Sequence, residues 1–136
     1  MGFDQNANKV DLPLKAAADL RTHQYKFVKL DANGNVVLCS AAGERVLGIL
    51  QNKPNTGETA TVRIIGISKI VCSAAIALPN RISTDAAGLA KASSRLVAAS
   101  GNASNVAGDL IRAAGAANEI QTMIMVPSGI WPTADV

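Results

Sequence analysis

Apolar and polar positions along this chain alternate in short runs broken by turn residues, a period-two pattern that predicts strands rather than helices. Residues 24–30 are rich in β-formers (Tyr25, Phe27, Val28) and end at Asp31-Ala32-Asn33-Gly34-Asn35. Asn-Gly between two apolar runs predicts a hairpin, because both central positions accept a positive φ at little cost. Residues 36–39 return as the second strand, and 46–50 form a third, closed by Lys53-Pro54-Asn55-Thr56-Gly57. The longest strand is expected over 59–72. One of its faces carries Ala60, Val62, Ile64, Ser68, Ile70 and Cys72, and the other carries Thr61, Arg63, Ile65, Ile67, Lys69 and Val71. Ile65 and Ile67 make the outward face partly apolar, which an antiparallel sheet with one wet face does not need. Gly66 in mid-run predicts a bend where one strand passes between two sheets. Further strands are expected at 81–84, 106–114 and 119–126, and the Ala- and Ser-rich residues 89–104 as a loop or one short helix near 91–98.

The pattern is written twice. Asp31-Ala32-Asn33-Gly34 recurs as Asp85-Ala86-Ala87-Gly88, 54 positions on. Val46-Leu47-Gly48-Ile49-Leu50 recurs as Val106-Ala107-Gly108-Asp109-Leu110 after 60 positions, and Glu58-Thr59-Ala60-Thr61 as Glu119-Ile120-Gln121-Thr122 after 61. The copies span about 24–73 and 80–126, differing by an insertion near 93–104. The expected fold is all-β: a small β-barrel or β-sandwich of tulip-like form, with an internal pseudo-repeat and at most one short helix. Residues 1–11 are read as a flexible arm, 12–126 as a single β domain and 127–136 as a tail bearing Trp131.

Composition changes this picture in one respect. The chain has 136 residues, 49% hydrophobic but only 3% aromatic. A core of Val, Ile, Leu and Ala lacks the area that rings bury, which favours completion by neighbouring subunits. The net charge of +3 comes from singly placed cations such as Lys15, Arg45 and Arg81. Neither a basic stripe nor interleaved aromatics appear, which argues against nucleic acid as a partner. The start of the chain lacks a signal-peptide layout, and the longest uncharged apolar run is far short of the ~20 residues that span a bilayer. Cys39 and Cys72 read as buried small hydrophobes of a cytosolically made protein.

Candidate chemistry is sparse. His23 with Cys39 or Asp31 supplies a base and a nucleophile, but the surroundings match no nucleophile turn and offer no orienting group. The Asp31 segment resembles the start of a calcium loop, yet Val36 stands where the sixth-position Gly belongs and Ala42 where the twelfth-position Glu belongs. No phosphate-cradling glycine spacing and no set of three Cys/His metal ligands occur. The chain is expected to be no enzyme and to need no cofactor or metal.

The runs QYKFVKLDANGNVVL (24–38), VLGILQNKPNTGETATVRIIGISKIV (46–71) and RISTDAAGLA (81–90) resemble the small capsid decoration, or cement, proteins of tailed bacteriophages. The resemblance covers roughly residues 12–126. Leu78-Pro79-Asn80 departs from it, where a Gly-bearing turn is commoner, as does the longer 93–104 segment. The resemblance implies an all-β fold that assembles as a homotrimer on the outer surface of a phage head. There it would bind the major capsid protein and hold the expanded shell. On that reading Asn8, Leu12, Leu14, Ile65, Ile67 and Trp131 are the candidate interface residues, and the protein belongs to the virion after synthesis in the host cytoplasm. A different class of function is a virion-displayed barrel that binds glycans or host-surface ligands.

Overall fold

The computed structural model describes residues 9–93 and 105–125. Among them it is all-β, with no helix and nine strands: β1 (Val10–Lys15), β2 (Phe27–Leu30), β3 (Val36–Leu38), β4 (Gly48–Leu50), β5 (Thr59–Val71), β6 (Arg81–Thr84), β7 (Ala90–Ala92), β8 (Gly108–Leu110) and β9 (Ile120–Met125). The expected small barrel is what the chain forms. The predicted strand at 106–114 shrinks to β8. Two strands were not anticipated. Residues 10–15, expected to be partly arm, pair along β5 as β1. Residues 90–92, expected as loop or helix, pair with β6 as β7.

Strand order is β3-β2-β4-β5-β9-β8-β6-β7, with β1 also on β5. The pairings repeat at the offsets seen in the sequence. Val28 faces both Leu38 and Gly48, as Ile82 faces Ala92 and Gly108. Leu50 faces Val62 as Leu110 faces Met123. The repeat also reaches upstream of residue 24. Asp11 and Leu12 face Arg63 and Val62 just as Ile67 and Ser68 face Ile124 and Met123. Residues 10–65 and 66–125 are therefore two copies of one five-stranded unit, and β5 is the last strand of the first fused to the first strand of the second. The handover falls at Gly66, whose φ of 107° lies where side-chain-bearing residues are strained.

Each unit curls until its outermost strands meet through a single parallel bridge, Ala16 to Val36 in the first barrel and Cys72 to Ala90 in the second. Loop hydrogen bonds correspond as well. The Leu20 N–H donates to the Pro54 carbonyl (2.9 Å) as the Ile76 N–H donates to Ala114 (2.9 Å). Both hairpin tips are built by one aspartate. Asp31 Oδ1 accepts the N–H groups of Asn33 and Asn35, and Asp85 Oδ1 those of Ala87 and Leu89, all within 2.9 Å. Gly48 and Gly108 share a tighter requirement: a Cβ at either would collide with a backbone carbonyl oxygen of the next strand, Arg63 or Ile124.

The core follows the same logic. Ala16, Leu20, Val28, Val36, Leu50, Ala60 and Val62 fill the first barrel. Their counterparts Cys72, Ile76, Ile82, Ala90, Leu110 and Met123 fill the second, where Phe27, Cys39, Val46 and Ile49 of the first barrel join them. The first barrel thus buries two faces, its own interior and a second face against its neighbour. Full burial of Phe27 and Ile49 contributes about 1.5–3 kcal/mol each.

Candidate functional site: an aliphatic outer face

Outside the two cores, apolar side chains gather on one face of β1, β5 and β9. Cross-strand registration places Ile67 beside Ile124 and Val71 beside Ile120, and a register shift between Val10 and Asp11 interrupts the alternation of β1 and brings Val10 beside Ile65. Ile120 is 52% exposed, Ile124 and Val10 41%, and Ile65 37%. Single exposed aliphatics are ordinary, but a run of adjacent pairs across three strands is the kind of surface that marks an interaction site. Lys69 divides the run. It stands between Ile67 and Val71 on the same face, its Nζ 5.7 Å from the centre of the Tyr25 ring, a cation–π contact that holds the side chain along the strand.

The upper end of the face is fixed by an ion pair. Arg63 Nε and Nη2 donate to the two carboxylate oxygens of Asp11 (2.8 and 3.1 Å), and Nη1 donates to the Ile67 carbonyl (2.9 Å). One guanidinium therefore clamps β1 to β5 and braces the bend at Gly66. The hydrogen bonds from Arg63, assisted by its charge, hold the Asp11 carboxyl below the usual carboxylate range, although partial burial opposes them.

Of the residues expected at an interface, Ile65 and Ile67 lie on this face. Leu12 and Leu14 lie on the opposite one, facing Val62 and Ala60, and Leu14 packs against the first core. β1 is therefore already engaged in its own sheet. Asn8 and Trp131 fall outside the described residues. Val10, Ile120 and Ile124 escaped the sequence reading. The alternation Ile120, Thr122, Ile124 along β9 was visible, but its place beside Ile67 depends on a pairing between distant segments.

The chemistry considered for His23 and Cys39 finds no shared geometry. His23 Nδ1 lies 3.2 Å from Lys26 Nζ, and burial, followed by the charge of Lys26, lowers its pKa. The Cys39 thiol lies within the core, where burial pushes its pKa up to about 12, unlike the depressed value of a reactive thiol. Asp31 spends one carboxylate oxygen on its own turn. Among the described residues no group of three His, Cys, Asp or Glu side chains is placed to hold a metal ion, and no helix is long and apolar enough to cross a membrane.

No protein-family model and no curated protein matches the chain. A solved structure does share its fold: the crystal structure of the head fiber gp8.5 N base in bacteriophage phi29. The two are 12% identical with a TM-score of 0.63, over 88% of this chain and 96% of that one.

Proposed function

We propose that this protein is a non-enzymatic structural component of a bacteriophage head, a decoration or cement protein that self-associates as a trimer on the outer shell. The observation that carries the reading is the exposed aliphatic face of β1, β5 and β9, on a fold shared with the head fiber gp8.5 N base of bacteriophage phi29. A clamp needs area and several points of attachment rather than a reactive group, and linked weak contacts gain through effective concentration. Ile65 and Ile67, with Ile124 beside them, then close the contact between subunits, and the major capsid protein is the partner beneath. The aromatics within the described residues favour this over glycan binding, since Phe27 is fully buried and Tyr25 lies beneath Lys69.

Light scattering and co-sedimentation with purified heads test the reading. The wild type is expected to run as a trimer and to pellet with heads. Ile65→Asp combined with Ile67→Asp lowers the mass to that of one chain and reduces head occupancy at least tenfold. A wild type that is monomeric and leaves heads undecorated overturns the proposal.

A further inference from the structure

The second unit repeats the first, so the contact between them shows how one unit docks on another. Within the chain, the first barrel offers Tyr25, Phe27, Gly43 and Gln51. The Phe27 N–H donates to the Gly88 carbonyl (2.7 Å), and Tyr25 and Gly43 bond backbone groups of Val71 and Thr84. Gln51 Nε2 donates to Ser68 Oγ (2.9 Å) and is itself braced by Gln24, which bonds the Gln51 carbonyl (2.8 Å). On the receiving barrel, the space beside Gly88 is filled by Leu38 and the Phe27 carbonyl, and Thr84 is fully buried.

Both sides of this joint have counterparts left open. On the second barrel, Leu78 and Ile111 stand where the first has Gln24 and Gln51, and they are 44% and 37% exposed. On the first barrel, Leu12 and Leu30 stand where the second has Ser68 and Thr84, Leu30 is 43% exposed, and the space beside Gly34 is empty where that beside Gly88 is filled. The substitutions match across the joint: polar Gln51 and Ser68 become apolar Ile111 and Leu12, and buried Thr84 becomes exposed Leu30. An apolar residue on one side alone would be an isolated exposed aliphatic. Matched changes on both sides describe one interface.

We infer that a second copy of this chain docks its second barrel on the first barrel of its neighbour, repeating between chains the relation that the two barrels hold within one, with Leu78 and Ile111 against Leu12 and Leu30. The inference rests on the self-association proposed above and adds a second contact beside the Ile65–Ile67 face, each too weak to hold two chains together without the other. Such a contact is head-to-tail, so it closes into a ring or runs on as a filament according to the rotation between successive units. Arg81 and Asp109 replace Phe27 and Ile49 in the middle of this surface. Burying charged groups is costly, which makes the joint between chains weaker than the permanent one within a chain.

Two variants test it by sedimentation velocity on the whole protein. Leu30→Glu disables the receiving side and Ile111→Glu the docking side, each at an exposed position. Each alone is expected to sediment as a single chain, with association weakened at least tenfold. An equimolar mixture is expected to form a two-chain species and nothing larger, since one intact joint remains. If either glutamate variant loses its folded circular-dichroism spectrum, Leu30→Thr and Ile111→Gln replace it, since the other barrel carries those residues at the equivalent positions. A variant that keeps the wild-type mass, a mixture that stays monomeric, or a monomeric wild type overturns the inference. Head co-sedimentation of the wild type is scored separately, so a failed joint is distinguishable from a failed role on the head.

Discussion

One cross-sheet row separates the two barrels. In the first it reads Phe27, Ile49, Arg63, Asp11, and in the second Arg81, Asp109, Ile124, Ile67. The apolar half of the first row is charged in the second, and the ion-paired half of the first is aliphatic in the second. The strand pairings of the two barrels correspond, so the inversion owes nothing to secondary structure. It records which part of each copy is covered. Phe27 and Ile49 meet the neighbouring core within the same chain, whereas Arg81 and Asp109 are exposed. Duplication thus provided two identical faces, and side-chain choice made one an internal joint and the other an outer surface.

The largest effects should come where the copies agree. Gly48→Val and Gly108→Val each drive a side chain into a backbone carbonyl, and each is expected to cost about 3 kcal/mol or more by urea denaturation. Tolerance at one glycine and not the other would break the equivalence. Next come the positions where they differ. Phe27→Ala is expected to lose about 3 kcal/mol through a cavity in the shared core, while Arg81→Ala at the equivalent exposed site stays within about 1 kcal/mol. Equal losses would mean that the second face of the first barrel is not a joint.

A transplant sharpens the comparison further. Ile67→Asp with Ile124→Arg recreates in the second barrel the ion pair of the first, and stability should change by about 1 kcal/mol or less. Self-association should nonetheless fall at least tenfold in light scattering, and unchanged mass would remove this face from the interface. The smallest effect concerns Asp11. Its folded pKa lies below the ordinary value of 3.8, so the pair with Arg63 contributes fully above that value and is lost as pH falls through the folded one. Asp11→Asn should therefore cost about 1 kcal/mol at neutral pH, and the gap to wild type should close progressively below about pH 4. A gap that persists in acid would assign the loss to packing.

The hairpin tips and the longest strand were legible because their determinants are local. Asp31 and Asp85 bond amides two and four residues ahead, and the two faces of β5 follow from alternation alone. β1 was not legible. Its sequence, VDLPLK, has a proline at its centre, a residue tolerated because β1 is an edge strand that pairs only with β5. β7 is the tripeptide AKA, with little β preference of its own, and becomes a strand by pairing with β6 and by the bridge from Cys72 that closes the barrel. At the candidate site Ile65 and Ile67 were readable as apolar residues on a wet face, whereas the side on which Leu14 falls depends on its pairing with β5, which turns it toward the first core.

Turn chemistry, strand alternation and a motif spelled twice belong to the linear chain, because each depends on residues a few positions apart. Which strand lies beside β5 on either side of Gly66, and which copy keeps its second face dry, arise only on folding. Those outcomes depend on backbone groups and apolar area contributed by segments far apart in the chain, and no local window contains their sum.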